Sequence, residues 1–422
     1  MMKAVIVAGG KGTRISSIAN NIPKPMIRIG DKPVLEHEII CLRDQGFKDI
    51  ILTVSYLGEI IMDYFGDGSK FGVHIDYFFE ENPLGNAGAL FKIKDKLNED
   101  FLLLNADALF NVDFNRFVNY HKQKGGLVTL FTHPNSHPYD SGLIIVDENK
   151  AVKEWLNKEE ARPTWYKNRV NAGLHVISPE ILDVTFDKER IDLDRDLLKP
   201  LCGSGKMFAY DSSEYVKDMG TPDRFYAVND EFKKGIVTSK NLINKQKAIF
   251  LDRDGTINKY VGFLRNIDDF ELLNGVSEAI KKINASGYLT IVITNQPVIA
   301  RGEVSFAELD EIHNKMETLL GKDGAYLDAI YFCPHHPHKG YEGEIPELKF
   351  DCDCRKPKPG LLIKAAEDFN IDLSKSWMIG DGESDVLAGK AAGCKTILLS
   401  NEHCDTMTCA NLLDAVRFIL KE

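Results

Sequence analysis

The chain has 422 residues, of which 44% are apolar and 27% charged, a composition typical of a globular protein with two or three domains. Its formal net charge of −11 argues against a broad nucleic-acid-binding surface, which is usually basic. No stretch approaches the roughly 20 apolar residues that span a bilayer, and the N-terminus lacks the cleavage site of a signal peptide. We therefore expect a cytoplasmic protein without a membrane partner.

The first predicted element is a buried strand over residues 4–8, which ends in a Gly-rich turn at residues 9–14. Successive backbone N–H groups in such a turn can bind phosphate oxygens. The spacing of its glycines matches neither a Walker A loop nor a dinucleotide-binding fingerprint. Residues 23–25, Pro-Lys-Pro, then predict a rigid turn that presents one lysine.

Short apolar runs recur along the chain, and amphipathic stretches lie between many of them. We predict strands at residues 50–54, 101–104, 127–131, 248–251, 289–293, 329–332, 377–379 and 396–399, and helices at residues 276–285 and 306–320. This alternation is typical of parallel sheets with crossover helices. The predicted fold class is therefore α/β, with two doubly wound domains.

A polar, basic stretch with little periodicity separates the two halves. We predict one domain over residues 1–235, a linker over residues 236–246 and a second domain over residues 247–422. No internal repeat is evident, and in particular no hexapeptide repeat that would serve oligomerisation, which leaves a homo-oligomer open.

The motifs of the first half occur in a characteristic order. After the Gly-rich turn and Pro-Lys-Pro come residues 83–90, 103–107, 171–173 and 218–222. In this order the motifs resemble those of the sugar-1-phosphate nucleotidyltransferases, over roughly residues 2–232. The resemblance implies a Rossmann-like domain that binds a sugar 1-phosphate and a nucleoside triphosphate.

The same resemblance implies roles for individual residues. Arg14 and Lys24 would hold the triphosphate as catalytic cations, and Mg²⁺ would lie between Asp107 and Asp218. A phosphate oxygen of the sugar would attack the α-phosphate in line, so no protein nucleophile is needed. Substrate contacts are implied for three sets of residues: Gly9, Gly10, Gly12 and Thr13 with the triphosphate, Gly85, Asn86 and Gly88 with the base, and Lys158, Asn171 and Gly173 with the sugar phosphate and sugar. Asn86 stands where the family has Thr, and Lys158 lacks the Glu and Pro that flank it in the family.

The second half opens with a predicted strand that ends in two carboxylates, Asp252 and Asp254, and a turn at Gly255 can bring both towards one cavity. A carboxylate pair attracts phosphate only when a cation such as Mg²⁺ neutralises it. Asp252 can then attack phosphorus as a nucleophile, while Asp254 can protonate the leaving alcohol and later activate water.

Three further groups suited to phosphoryl transfer follow in order, beginning at Thr294, Arg355 and Asp381. The set resembles the haloacid dehalogenase superfamily over roughly residues 247–422, and implies a Rossmannoid phosphatase domain. Phosphate or substrate contacts are implied for Thr294, Asn295, Arg301, Arg355 and Lys356, and Mg²⁺ contacts for Asp252, Asp254 and Asp381. Lys358 is the alternative to Lys356.

Three of the eight cysteines fall close together among histidines, which indicates a metal site rather than a disulfide framework. The pattern resembles the branch of the superfamily that contains heptose bisphosphate and histidinol-phosphate phosphatases. It implies a structural zinc loop on Cys333, His335, Cys352 and Cys354, with His336 and His338 as rival ligands. Residues 299–302 resemble the heptose enzymes more closely, whereas residues 297–298 and Gly382 depart from them.

A phosphatase fused to a nucleotidyltransferase predicts consecutive steps. We expect D-glycero-D-manno-heptose 1,7-bisphosphate to lose its C7 phosphate, and the resulting 1-phosphate to react with a nucleoside triphosphate, GTP being favoured. One alternative is a phosphatase for another metabolite, such as histidinol phosphate, fused to a hexose-1-phosphate nucleotidyltransferase. In another alternative, one half is a non-catalytic scaffold.

Overall fold

The computed structural model describes residues 2–10, 15, 18, 21–402 and 406–421. The chain divides into two compact units. The first unit comprises Met1–His133, Gly142–Leu156 and Asn171–Asn241, and the second comprises Pro134–Ser141, Asn157–Val170 and Leu242–Glu422. Two segments from the first half of the sequence, residues 134–141 and 157–170, thus belong to the second unit.

Strands and α-helices largely alternate in the first half of the first unit, and a run of six strands then precedes its last two helices. Its strands are β1 (Ala4–Val7), β2 (Arg28–Ile29), β3 (Lys32–Pro33), β4 (Asp49–Val54), β5 (His74–Phe79), β6 (Phe101–Asn105), β7 (Ala108–Asn111), β8 (Val128–His133), β9 (Leu143–Val146), β10 (Val152–Leu156), β11 (Val170–Ile177), β12 (Met207–Asp211) and β13 (Tyr215–Asp218). Its helices are α1 (Val34–Asp44), α2 (Gly58–Phe65), α3 (Gly88–Lys92), α4 (Phe114–Lys124), α5 (Pro222–Lys233) and α6 (Ile236–Ser239).

Among the described residues, the main sheet of the first unit has nine strands and is mixed rather than wholly parallel. Strands β6, β1, β4 and β5 run parallel side by side, whereas β11 pairs antiparallel with β6 and β10 pairs antiparallel with β9. Alternate residues of β1 enter different cores, Ala4 and Ile6 on one face and Val5 on the other. Both faces are therefore covered, which confirms the α/β class. The antiparallel pairs differ from the parallel sheet that the sequence predicts.

The second unit follows the same plan with a simpler sheet. Its strands are β14 (Lys247–Leu251), β15 (Tyr288–Asn295), β16 (Ala329–Cys333), β17 (Trp377–Gly380), β18 (Lys395–Leu399) and β19 (Thr408–Cys409). Its helices are α7 (Val276–Asn284), α8 (Phe306–Lys322), α9 (Gly360–Asp368), α10 (Glu383–Ala392) and α11 (Leu412–Leu420). Among the described residues, no helix has the length and apolar character needed to cross a membrane.

The six strands of this sheet are all parallel, in the order β16-β15-β14-β17-β18-β19. Ile249 and Leu251 of β14 pack with α7, α8 and α11 on one face. Ala248 and Phe250 pack with α9 and α10 on the other. The sheet is buried on both sides, as a near-continuous apolar strand sequence predicts.

The predicted linker over residues 236–246 contains structure of its own. Helix α6 lies within it, and Ile236 and Val237 are buried in a small core with Val228 and Tyr215. The split between the two units falls at Asn241 and Leu242.

Residues 157–170 are fastened to α8 inside the second unit. Arg169 Nη1 lies 3.2 Å from Glu317 Oε1, and their side chains are 6% and 2% exposed. The backbone N–H of Asn168 donates to the other oxygen of Glu317 at 3.1 Å. The backbone N–H of Tyr166 donates to Thr318 Oγ1 at 2.8 Å. Within this segment, residues 168–170 are buried, and these bonds hold them in the second unit.

Replacing Glu317 by Gln should lower the free energy of unfolding of the second unit by about 3 kcal/mol, because the buried Arg169 guanidinium loses its charge partner. Hydrogen exchange in β14 and β15 during urea titration would measure this change. The matched control is Asp368→Asn, which removes an exposed ion pair with Lys364 and should change stability by less than about 0.5 kcal/mol. Equal losses in the two variants would show that the buried pair adds nothing.

Candidate active sites

The polar residues of the second unit meet at the carboxyl end of its parallel sheet. Asp252 follows β14, Thr294 and Asn295 end β15, and Asp381 follows β17. Because these three strands are neighbours and parallel, their ends open onto one place. A cavity of about 320 Å³ lies there, lined among others by Asp252, Asp254, Thr294, Asn295, Gln296, Arg355, Lys356, Asp381 and Asp385.

Lys356 holds the acids of this cavity together. Its Nζ lies 2.6 Å from Asp252 Oδ1 and 2.6 Å from Asp385 Oδ1, and donates to the carbonyl of Ile293 at 2.8 Å. Burial alone would lower the pKa of Lys356, but the two carboxylates raise it above its ordinary value. Burial raises the pKa of Asp252, and the neighbouring lysine opposes that effect. The alternative, Lys358, pairs instead with Asp351 at 2.8 Å.

Asn295 fixes the backbone that carries this lysine. Its side-chain oxygen accepts from the backbone N–H of Lys356 at 3.0 Å, and its amide donates to the Lys356 carbonyl at 3.0 Å. Asn295, predicted to bind phosphate, therefore also sets the position of the buried cation.

Three carboxylates of this cavity could hold a divalent cation. Oxygen atoms of Asp252, Asp381 and Asp385 lie within 4.8 Å of one another, and carboxylate oxygens are the ligands that Mg²⁺ prefers. Burial, followed by the neighbouring Asp385, raises the pKa of Asp381. Sequence analysis assigned no role to Asp385, which lies in the first turn of α10. Its acidic side chain four residues after Asp381 was the available signal.

Glycines make room for this cluster. A Cβ on Gly380 would lie 2.1 Å from Asp385 Oδ2, and a Cβ on Gly255 would lie 1.9 Å from Asp381 Oδ2. Gly255 also has a φ of +85°, which side chains rarely adopt. These two positions therefore require glycine if the acids are to converge.

Asp254, predicted as a further magnesium ligand, is placed differently. Its carboxylate accepts hydrogen bonds from Arg253, from Asn258 at 3.0 Å and from Gln296 at 2.9 Å. The side chain lines the cavity but lies outside the cluster of three acids. The side chain of Asp254 therefore lies beside the cluster of three acids, within the cavity, where it could transfer a proton.

A second group of residues that could hold a metal ion consists of Cys333, His335, Cys352 and Cys354, whose ligand atoms lie within 4.8 Å of one another. The Sγ atoms of the three cysteines are 3.1 to 3.5 Å apart, and His335 Nδ1 is 3.2 Å from Cys354 Sγ. All three cysteines are free thiols. Three sulfurs and one imidazole fit a tetrahedral zinc ion.

The rival ligands are engaged elsewhere. His336 Nε2 lies 3.2 Å from Nη2 of Arg301, and its Nδ1 contacts the backbone of His338. Arg301 is buried, with its guanidinium 4.0 Å from the centre of the Phe263 ring. Arg301, predicted to bind substrate, is not among the residues that line the cavity. Arg355 does line it, and donates to the carbonyl of His335 at 3.3 Å.

The first unit contains a larger cavity, of about 670 Å³. It is lined among others by Gly9, Gly10, Lys24, Glu80, Gly85, Asn86, Asn105, Asp107, Arg190 and Gly220. The predicted contacts Gly12, Thr13 and Arg14 lie outside the described residues. Glu80 and Arg190 were missed by sequence analysis. Glu80 directly follows β5, so a strand predicted at residues 74–79 would have indicated Glu80 as a site residue.

Lys24 joins two acids that are far apart in the sequence. Asp107 follows β6, and Asp218 ends β13, which pairs antiparallel with β7 so that Asp218 lies opposite Ala108. Lys24 Nζ is 3.1 Å from Asp107 Oδ2 and 3.3 Å from Asp218 Oδ1. Burial would raise the pKa of Asp218, but Lys24 and Arg224 hold it below its usual range. The two acids converge, as a shared metal site requires.

The segment predicted to contact the base packs tightly on residues 189–193. Gly85 has a φ of +81°, and a Cβ there would lie 2.3 Å from the carbonyl of Ile191. A Cβ on Gly88 would lie 2.7 Å from the carbonyl of Glu189. Asn86 accepts from the backbone N–H of Leu193 at 2.7 Å. Its side chain thus fixes the loop to residues 189–193.

The predicted sugar contacts fall in two places. Asn171 accepts from the N–H of Gly173 at 3.3 Å, and a Cβ on Gly173 would lie 2.8 Å from the amide of Asn105, which lines the cavity. Lys158 is exposed, pairs with Glu159 at 3.7 Å, and belongs to the second unit. It does not line either cavity.

Comparisons with known proteins match the two halves of the sequence to different families. The nucleotidyl transferase family model matches residues 3–235, and the HAD-hydrolase-like model matches residues 353–416. A UTP–glucose-1-phosphate uridylyltransferase of Synechocystis sp. is 36% identical over 301 residues, which are 64% of this chain and 76% of that protein.

Two further relatives cover the halves separately. A D-glycero-beta-D-manno-heptose-1,7-bisphosphate 7-phosphatase of Haemophilus ducreyi is 45% identical over 155 residues, 36% of this chain and 82% of that protein. A mannose-1-phosphate guanylyltransferase of Mycobacterium tuberculosis is 31% identical over 242 residues, 57% of this chain and 67% of that protein.

Proposed function

We propose that the protein catalyses two consecutive steps in making a nucleotide-activated heptose. Residues 3–235 belong to the nucleotidyl transferase family, and the second half of the chain belongs to the heptose bisphosphate phosphatases. The chain is thus an enzyme with a transferase half and a phosphatase half. One observation carries the proposal: both families occur in one chain. Removing the 7-phosphate of a heptose bisphosphate leaves the 1-phosphate that a nucleotidyltransferase requires.

In the proposed phosphatase step, a carboxylate oxygen of Asp252 attacks the phosphorus of the C7 phosphate. The bond between phosphorus and the sugar oxygen breaks, and Asp254, which has to be protonated when the substrate binds, gives its proton to that oxygen. Water then attacks the phosphorus of the aspartyl-phosphate and loses a proton to Asp254. The bond from phosphorus to Asp252 breaks, inorganic phosphate leaves, and both acids return to their starting states.

The other residues of the cavity support this step. Lys356, Thr294 and Arg355 offer donors or positive charge to the phosphate oxygens. We propose Mg²⁺ on Asp252, Asp381 and Asp385 in the second unit and on Asp107 and Asp218 in the first, where it would neutralise acid and phosphate charge. In the first unit, the 1-phosphate oxygen attacks the α-phosphate of the nucleotide and pyrophosphate leaves, with Lys24 stabilising the charge that develops.

The two activities should be separable by single substitutions. Asp252→Asn should lower phosphate release from D-glycero-D-manno-heptose 1,7-bisphosphate by at least about 1,000-fold, because it removes the nucleophile. It should leave pyrophosphate release from heptose 1-phosphate and GTP unchanged. Asp107→Asn should show the converse, with pyrophosphate release lowered by about 100-fold or more. Full phosphate release by Asp252→Asn would contradict the proposal.

We propose GTP as the nucleotide, and Glu80 supports this choice. Glu80 is 6% exposed and accepts from the backbone N–H of Leu84 at 3.1 Å, beside the loop predicted to contact the base. A carboxylate can accept two hydrogen bonds from the N1–H and N2–H₂ groups of guanine. Uracil and thymine have one such N–H, flanked by carbonyl oxygens that a carboxylate repels. The buried acid therefore favours guanine.

Glu80→Gln should lower kcat/KM for GTP by about 10-fold or more, because it replaces one acceptor of the pair by a donor. The value for UTP should fall less, so that the ratio of the two constants decreases. The matched control is Glu81→Gln, which changes the exposed neighbouring acid and should leave the ratio unaltered. An equal fall for every nucleotide in Glu80→Gln would argue against base recognition.

We further propose that the group Cys333, His335, Cys352 and Cys354 binds structural zinc, because four protein ligands leave no open position for substrate. Metal analysis of purified protein should find about one zinc per chain, and Cys352→Ser should lose it. Cys202→Ser, which changes a half-buried cysteine of the first unit, should retain it. Zinc content unaffected by Cys352→Ser would contradict this site. Self-association and a cytoplasmic location remain predictions.

A further inference from the structure

The guanidinium of Arg253 is fully buried between Asp254 and His313. Its relative exposure is 0%, and Arg253 is the largest of the fully buried side chains among the described residues. Burying a charge is unfavourable unless an opposite charge and hydrogen bonds satisfy it. The surroundings of Arg253 therefore have to supply both.

Asp254 supplies the charge. Nη2 of Arg253 donates to Asp254 Oδ1 at 2.9 Å and to Oδ2 at 2.8 Å, and Nε donates to Oδ1 at 3.2 Å. Asn258 and Gln296 each donate one further hydrogen bond to this carboxylate. Arg253 thus makes three of the five side-chain hydrogen bonds that orient Asp254. Because the guanidinium is planar and rigid, these bonds fix the plane of the carboxylate.

A histidine holds the far side of the guanidinium. Nη1 of Arg253 lies 3.3 Å from Nε2 of His313, which is buried on α8. Burial and the neighbouring Arg253 lower the pKa of His313 well below its usual range. A neutral imidazole can accept the hydrogen bond at Nε2, with its proton at Nδ1.

The helix that carries His313 is itself fastened one turn further along. Glu317 of α8 pairs with the buried Arg169, and Thr318 accepts from the backbone of Tyr166. The chain from α8 through His313 and Arg253 to Asp254 is therefore supported by buried contacts at each step.

We propose that Arg253, backed by His313, is a positioning residue that sets the Asp254 carboxylate for proton transfer in the phosphatase reaction. The inference rests on the proposed phosphatase function. Proton transfer requires a fixed donor–acceptor geometry. With the guanidinium absent, two single hydrogen bonds would remain to orient the side chain, and the carboxylate could rotate away from the leaving oxygen.

The test compares two steps that differ in their need for a proton. With p-nitrophenyl phosphate the leaving phenolate needs no acid, so formation of the aspartyl-phosphate does not depend on Asp254. Hydrolysis of that intermediate still requires a base to activate water. Rapid-quench kinetics with the full chain and Mg²⁺ would measure the initial burst of p-nitrophenolate and the turnover that follows.

In Arg253→Met, we expect the burst rate to stay within about 3-fold of wild type while turnover falls by about 100-fold, so that phosphoenzyme accumulates. KM should fall together with turnover, so that kcat/KM, which reports formation of the phosphoenzyme, stays within about 3-fold of wild type. Asp254→Asn should give the same pattern, and His313→Leu a smaller loss of turnover of the same kind. With heptose 1,7-bisphosphate, whose leaving alkoxide needs a proton, the first step itself should slow in Arg253→Met.

Other outcomes would overturn the inference. Burst and turnover that fall together in Arg253→Met would show a merely structural role, and wild-type kinetics would show no role. If Arg253→Met does not fold, as judged by thermal unfolding, His313→Leu decides by the same criteria. A wild-type enzyme without burst or turnover on either substrate would instead overturn the proposed phosphatase function itself, and this inference with it.

Discussion

A buried lysine lies between two carboxylates in each unit of this protein. Lys356 joins Asp252 to Asp385, and Lys24 joins Asp107 to Asp218. Carboxylates brought together away from water repel one another unless positive charge lies among them. Phosphate substrates bring further negative charge to the same places. The positions of these two lysines therefore decide whether either cavity can form and whether it can accept its substrate.

The need for compensating charge extends beyond the two lysines. Arg253 lies against Asp254, and Arg224 lies 2.6 Å from Asp218. In the second unit, Lys356 stands two residues after Cys354, so the group of three cysteines and His335 restricts the backbone before this lysine. Asn295 fixes the backbone at Lys356 itself through a hydrogen bond. Removing one charge from such an arrangement would leave its partner buried and unpaired, so we expect substitutions of these residues to be destabilising.

Much of this arrangement could be predicted because the polar residues of the site come directly after apolar strands in the sequence. Residues such as Asp252 and Thr294 stand where an apolar run stops, and parallel strands bring those ends together. The resemblance of the ordered motifs supplied both family and reaction class. An apolar run does not indicate the direction of a strand in its sheet, however, so the antiparallel pairing of β11 was not predicted. The choice between Lys356 and Lys358 likewise depends on burial, which the sequence left open.

Other features depend on contacts between distant residues. Glu80 follows β5, whose sequence carries His, Asp and Tyr and so lacks the apolar run that marks a buried strand. Arg169 and Glu317 are far apart in the chain, and nothing local indicates that residues 157–170 belong to the second unit. The measurement that tests the central claim most directly is phosphorus NMR of wild-type enzyme with heptose 1,7-bisphosphate, GTP and Mg²⁺. The account predicts inorganic phosphate first, then pyrophosphate together with a nucleotide heptose. Pyrophosphate formed before any phosphate, or phosphate release with no transfer to GTP, would contradict it.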